Sequence, residues 1–152
     1  MGVPAAITQQ GDIVTLGNIN FRRKVRWYTV NIVRSAVAGA QFPNQQVQID
    51  PNLAPFLLTS LHAADTADGK PITSQEAWFI QASDNENSYQ WCDGPVERSS
   101  MFGSREFGFN LPDAVSLRAN TRITFTLTNM DAAPTAGTAT ITLRGWQLIP
   151  LG

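Results

Sequence analysis

Two stretches near the C-terminus decide the fold: RITFTLTN, residues Arg122 to Asn129, and ATITLRGWQL, residues Ala139 to Leu148. Both alternate β-branched or charged residues with large apolar ones, which is the two-residue period of a half-buried strand. The segment between them, MDAAPTAGT, has no apolar alternation and predicts a loop. The sequence therefore predicts a long, threonine-rich β-ribbon in this region.

The period of two continues through the rest of the chain, and no segment has the pattern of a convincing amphipathic helix. The run PFLLTSLHA is continuously apolar and is compatible with a strand or a short helix. In all, eight strands are predicted, at residues 24–34, 46–50, 55–63, 76–83, 89–92, 104–112, 122–129 and 138–148.

Eight strands separated by turn signals predict an all-β fold, a two-sheet antiparallel sandwich of the jelly-roll kind. In jelly-roll order the first strand, 24–34, and the last, 138–148, lie side by side. An immunoglobulin-like sandwich is the alternative, but the chain lacks the Cys–Trp–Cys framework and is long for seven strands. Residues 21–152 are expected to form one domain and residues 1–20 an extended N-terminal arm; for the first ten residues a frayed terminus is the alternative.

The last strand changes phase at Gly145. Ile141 and Leu143 share one face, whereas Trp146 and Leu148 place their large apolar side chains at even positions. A β-bulge at Gly145 is predicted, and it would return Trp146 to the core side of the sheet.

The composition favours a protein that works against other protein surfaces. Of the 152 residues, 43% are hydrophobic, which allows a packed core, but only 15% are charged, against about 25% in an average soluble protein. Uncharged polar groups cost less to desolvate than ions. Arginine outnumbers lysine nine to two, as in many interfaces, although a GC-rich genome gives the same bias.

Positive charge is concentrated in one part of an otherwise acidic chain. The formal net charge is −1, yet residues 13–49 contain five basic residues and no acid. Such a cluster predicts an anionic partner, and an acidic protein neighbour is favoured over nucleic acid because the chain as a whole is not basic. The alternative is a strand whose outward residues happen to be basic. The candidate contact residues are Arg22, Arg23, Lys24 and Arg26.

Residues that carry out chemistry are scarce. His62 is the only histidine and is expected to be structural, since a cupin-type metal site needs two or three. Cys92 is the only cysteine, so no intrachain disulfide or cysteine-based metal site is possible; it is expected to be a small buried hydrophobe. No nucleophile elbow or phosphate loop is present. We therefore expect neither an enzyme nor a cofactor or metal; the weaker alternative is calcium bound by the turn acids Asp65, Asp68, Asp84 and Glu86.

Four tryptophans are many for this length. Trp27, Trp78 and Trp146 lie within predicted strands and are expected in the core. Trp91 and the nearby Tyr89 lie beside a loop, where they could stack on a sugar ring; packing at the end of the sandwich is the alternative.

No targeting or membrane segment is expected. The N-terminal stretch MGVPAAITQQGDIVTLGNI lacks the basic and apolar regions of a signal peptide, and no window approaches eighteen apolar residues. The chain is expected to be made and kept in a cytoplasm.

The order of segments resembles the small jelly-roll virion proteins of tailed bacteriophages, in particular the head-decoration or cement proteins. An arm leads into the basic strand, followed by FLLTSL, WFIQAS, CDGP, FGFNLP, TRITFTLTN and ATITLRGWQLIP. The resemblance covers most of residues 20–150, and no single motif in it is diagnostic.

This resemblance implies a non-enzymatic homodimer or homotrimer that binds the outside of the phage head and clamps neighbouring major capsid proteins. The protein would be located on the virion, after assembly in the cytoplasm of the host bacterium, and neither nucleic acid nor membrane is an expected partner. The exposed threonine face of the C-terminal ribbon is then a candidate contact surface between subunits. Charge reversal at Arg22, Arg23 and Lys24 is expected to weaken particle binding without lowering the melting temperature.

Two alternatives of other classes remain open. One is a receptor- or carbohydrate-binding module of a phage that uses Tyr89 and Trp91; the other is a structural protein of the tail or connector. A hydrolase is a more distant third, since it would need a pair of carboxylates in one cleft.

Overall fold

The computed structural model describes residues 7–10, 13–52, 55–67, 70–71, 78–85, 89–90, 94–103, 108–130 and 136–151. Within them the chain forms twelve strands and one short helix. In chain order these are β1 Ile7–Gln10, β2 Ile13–Leu16, β3 Ile19–Arg34, β4 Gln41–Gln48, β5 Phe56–Ala67, β6 Lys70–Pro71, β7 Trp78–Asp84, β8 Tyr89–Gln90, β9 Val96–Glu97, α1 Arg98–Phe102, β10 Phe109–Leu117, β11 Arg122–Asn129 and β12 Gly137–Pro150.

The strands form two antiparallel sheets that pack face to face. The larger has the order β1-β2-β3-β12-β5-β10, with β6 added to β5; the smaller has the order β4-β11-β7-β8, with β9 added to β7. Inward-facing residues of both sheets share one hydrophobic core, which includes Ile32, Phe56, Trp78, Phe125 and Ile141. The predicted all-β, two-sheet antiparallel sandwich is confirmed.

The longest ladder joins β3 to β12, with an unbroken register from Arg34↔Gly137 to Phe21↔Pro150. It confirms that the predicted strands 24–34 and 138–148 lie side by side. The strict alternation of RITFTLTN predicts a half-buried strand, and this is confirmed. Ile123, Phe125 and Leu127 are buried, and the threonines between them are half-buried. The jelly-roll topology itself stays a prediction.

Several elements differ from the sequence prediction: β4 begins five residues before the predicted strand 46–50, and β5 ends four residues after the predicted strand 55–63. β3 begins at Ile19, five residues before the predicted start, because the turn that precedes it lies at residues 17–18. β10 continues through Pro112, where its register against β5 shifts between Asn110 and Val115; such an irregularity tolerates the missing N–H of proline. The helix α1 was not predicted, since its five residues are too few for a helical period.

The described part of the predicted arm forms a hairpin on the larger sheet. β1 pairs with β2, and β2 pairs with β3 from Ile13↔Arg22 to Leu16↔Ile19. The backbone is extended, as expected of an arm, but it is hydrogen-bonded to the domain. The division of the chain into an arm, residues 1–20, and a domain, residues 21–152, stays a prediction.

Gly145 lies at a register shift, as predicted, but the extra residue belongs to β5. In the β12–β5 pair Arg144 lies opposite Ser60 and Gly145 opposite Leu58, so Thr59 is the unpaired residue. A Cβ on Gly145 would overlap the carbonyl oxygen of Leu57.

The prediction for Trp146 is wrong, because β12 keeps its phase against β3 and Trp146 stays on the outer face of the larger sheet. There it packs against a second hydrophobic cluster, which consists of the buried residues Val14, Phe21, Leu57 and Leu148. The larger sheet therefore has apolar clusters on both faces. No helix among the described residues is long and apolar enough to cross a membrane.

Candidate interaction surface

β3 determines where the basic residues point. Because side chains alternate across a strand, Arg22, Lys24 and Arg26 lie on one face, whereas Arg23 lies on the other with Trp27. Arg22 and Arg23 precede the predicted strand 24–34, but both lie within β3. The predicted basic cluster is therefore divided between two faces of the sheet.

Arg23 packs against the protein itself. Its guanidinium carbon lies 3.9 Å from the ring centroid of Trp146, which neighbours the second cluster, and the side chain is half-buried. This is cation–π geometry. Of the four predicted contact residues, Arg23 has the clearest structural role.

Arg26 is also engaged within the domain. Its Nη1 lies 3.2 Å from Oδ2 of Asp50, and its guanidinium lies 4.5 Å from the ring centroid of Tyr28. The backbone N–H of Asn52 donates to Oδ1 of Asp50 at 2.8 Å. That hydrogen bond, and secondarily Arg26, lowers the pKa of Asp50 below its ordinary value, although desolvation opposes the change.

Arg22 and Lys24 are exposed, and neither has an ion-pair partner among the described residues. Arg22 lies in a row across the sheet between Ile13 of β2 and Ile149 of β12. Leu151 follows β12 and its backbone N–H donates to Asn20; it and Ile13 are each 42% exposed. We call this surface the basic end; it comprises Ile13, Arg22, Lys24, Ile149 and Leu151.

The outer face of β3 carries an exposed apolar stripe. Val25, Trp27 and Val33 are 63%, 62% and 75% exposed, with Thr29 and Asn31 between them. The prediction that Trp27 lies in the core is wrong, because the odd-numbered residues of β3 face outward. Trp78, in contrast, is fully buried, as predicted.

A buried charge cluster lies at the other end of β3, and the sequence pattern does not predict it. Oδ1 of Asp65 accepts a hydrogen bond of 3.1 Å from Nη2 of Arg34, and Oδ2 accepts from Arg98 and, at 3.3 Å, from Nε1 of Trp78. Nη2 of Arg98 also donates to the carbonyl of Ala63 at 3.0 Å. All three charged side chains are essentially inaccessible to solvent.

This cluster assigns Asp65 a structural role. Its two oxygens already face two guanidinium groups, so the calcium alternative is wrong for this residue. In the structure Arg34 and Asp65 occupy inward positions of their strands, where a charge requires a partner, but alternation in the sequence does not show which face of β3 is inward. The sequence did not show that the two strands, together with α1, bring these residues to one place.

Other candidate residues add no chemistry to the described part of the molecule. His62 is half-buried on β5 and has an interaction within the protein. No group of three or more potential metal ligands comes together among the described residues. The side chain of Tyr89 and the residues Asp68, Glu86, Trp91 and Cys92 lie outside what the structure describes.

No family model, curated protein or solved structure matches the chain. Its function therefore has to be argued from its surfaces. Among the described residues the basic end combines exposed cations and exposed apolar side chains, which suits contact with an acidic protein surface.

Proposed function

We propose that this protein is a non-enzymatic decoration, or cement, protein of a tailed-phage head, and that it attaches to the major capsid protein through the basic end. The observation that carries the proposal is the exposure of Arg22 and Lys24 beside exposed apolar residues, on a rigid strand of the larger sheet. The strand order of the two sheets supports the jelly-roll architecture on which the resemblance depends.

The construction of the basic end supports a role in binding. Arg22 is held in register between two neighbouring strands, so its backbone position is fixed before a partner arrives. Pre-organisation of this kind lowers the entropic cost of association. The apolar side chains Ile13 and Leu151 supply surface whose burial favours binding, and the two cations steer the approach to an acidic patch.

The architecture also suits a clamp. β3 and β12 are hydrogen-bonded along a long ladder, and the N-terminal hairpin of β1 and β2 belongs to the same sheet. Contacts between strands so far apart in sequence give slow folding, and slow unfolding is the property that a clip requires. A clip that bridges capsid subunits has to resist separation, and the ladder would transmit load from the basic end through the sheet.

The test is co-sedimentation of the full chain with empty, expanded heads of the phage that encodes it. The variant Arg22→Glu/Lys24→Glu is expected to lose at least tenfold in affinity at low salt, with a melting temperature within about 1 °C of the wild type. The loss should shrink as salt is raised, because screening weakens exposed charge interactions.

The matched control is Arg122→Glu, which changes an exposed strand arginine on the smaller sheet. It is compared with the single variant Arg22→Glu and is expected to bind as the wild type does. Equal losses from the two single variants would refute a local basic-end contact. Attachment of the wild type to tails instead of heads would overturn the decoration proposal in favour of a tail component.

A further inference from the structure

β3 has a long free edge. β2 pairs only with residues 19–22 of β3, and β12 covers the other side. Among the described residues, no strand pairs with residues 23–34 on the side away from β12. Alternate residues of this twelve-residue segment therefore present a row of backbone N–H and C=O groups next to the apolar stripe of the outer face.

The other described sheet edges are short or interrupted. β4 contains Pro43, a left-handed Asn44 with φ of 60°, and a register shift in its pairing with β11. β10 contains Pro112 and its own register shift. β1 has four residues and β8 two. These features prevent edge-to-edge pairing, and none of them occurs in residues 23–34, which contain neither proline nor glycine.

We propose that this edge is a homodimer interface in which β3 pairs antiparallel with β3 of a second copy, joining the two larger sheets into one. The two-fold axis passes midway between Thr29 of one copy and Thr29 of the other, and residues 25–33 of the two copies form the ladder. The proposal does not depend on the proposed function, because the basic end lies outside the paired segment and stays accessible at both ends of the dimer.

The side-chain pattern of the strand is self-complementary about Thr29. Directly opposed residues in an antiparallel pair share a face. In this register Val25 of one copy lies opposite Val33 of the other, and Trp27 lies opposite Asn31. The two exposed valines would thus cover each other, whereas a register shifted by two residues would place Val25 opposite Asn31 or Ser35.

The distribution of charged residues along β3 favours a second copy as the partner of this edge, and it favours antiparallel over parallel pairing. Residues 25–33 contain one charged residue, Arg26, which is already paired with Asp50 on the inner face. In a parallel pair the clusters of residues 22–24 would lie side by side and repel each other. In the antiparallel pair they lie at opposite ends, and the interface between them is uncharged on its outer face.

The test measures the mass of the full chain by light scattering during size exclusion, at concentrations of about 1 to 100 μM. The wild type is expected to have twice the 16.6 kDa of one chain. The variant Val25→Lys/Val33→Lys places lysine opposite lysine twice in the dimer and is expected to weaken dimerisation at least a hundredfold. Both valines are exposed in the single chain, so folding should be retained, with an unchanged circular dichroism spectrum.

A charge swap tests the register. In Val25→Lys/Val33→Glu each lysine lies opposite a glutamate of the other copy, so the dimer should return and should weaken as salt is raised. Within one chain these positions are too far apart along the strand to interact. The control Val37→Lys, at an exposed residue beyond the strand, should dimerise as the wild type does.

A wild type that is monomeric over the whole concentration range would overturn the proposal. So would a closed trimer, because a single two-fold edge generates only dimers. A dimer that the double-lysine variant leaves intact would place the interface elsewhere. Failure of the charge swap to restore a dimer that the double lysine breaks would overturn the register about Thr29. None of these results changes the expected binding of the basic end to heads.

Discussion

The two ends of β3 carry the same kind of residue in opposite surroundings. At one end Arg34 is buried and paired with Asp65, which also pairs with the buried Arg98; at the other end Arg22 is exposed and has no ion-pair partner among the described residues. Both lie on regular backbone of one strand and face the same side of the sheet. The difference arises because the opposite sheet and α1 cover only one of these ends.

This comparison shows that burial, more than residue type, separates structural arginines from candidate contact arginines. A guanidinium in the interior requires a counter-ion and stabilises the fold only as part of a complete network. An exposed one contributes little to stability and is available to a partner. Arg23, half-buried over Trp146, lies between these extremes.

The largest effect is expected at the buried end. Asp65→Asn removes the carboxylate charge that faces two buried guanidinium groups, and the free energy of unfolding should fall by about 3–5 kcal/mol. Urea unfolding at neutral pH, followed by tryptophan fluorescence, measures this loss. The control is the same substitution at the exposed Asp113, which should cost less than about 0.5 kcal/mol. Equal losses from the two variants would contradict the role of Asp65.

An intermediate effect is expected at Arg23. Arg23→Ala removes the stacking on Trp146 and should lower the free energy of unfolding by about 1 kcal/mol. Arg22→Ala, one residue away on the opposite face, should change it by less than about 0.3 kcal/mol. Thermal unfolding of the two variants side by side gives the answer, and a larger loss from Arg22→Ala would reverse the assignment of the two faces.

The smallest effect is expected at Asp50, and it depends on pH. The pKa of this carboxyl is lowered in the folded state, so its charge stabilises the fold above the unfolded-state pKa, and that contribution is lost as the pH falls through the folded-state value. Asp50→Asn should therefore lower the melting temperature slightly at pH 7, and the difference from the wild type should shrink as the pH falls through the folded-state pKa. Melting curves across this range test the sign; a difference that grows toward acid pH would refute it.

Much of the fold follows from the sequence because its signal is local. The alternation in RITFTLTN and KVRWYTVNIVR determines strands and, for β11, the buried face. In β3, however, alternation alone does not show which face is buried. Trp27 was assigned to the core on its apolar character, yet the inward set is Tyr28, Val30 and Ile32.

The buried charge cluster and the free edge could not be predicted because they depend on contacts between distant segments. The cluster joins Arg34 and Asp65, from two strands, to Arg98, from a helix of five residues. A helix this short has no helical period in the sequence. Among the described residues, β2 pairs with only four residues of β3, and no strand pairs with residues 23–34 on that side. The sequence pattern alone could not show that Arg22 and Lys24 are exposed whereas Arg23 packs against Trp146.

The most direct test is an electron cryomicroscopy map of phage heads incubated with the 152-residue chain. The prediction is density for the sandwich on the outside of the head, with Arg22 and Lys24 against an acidic surface of the major capsid protein and the Arg34–Asp65–Arg98 cluster buried within the domain. Heads without added density, or a bound domain whose basic end faces solvent, would contradict it.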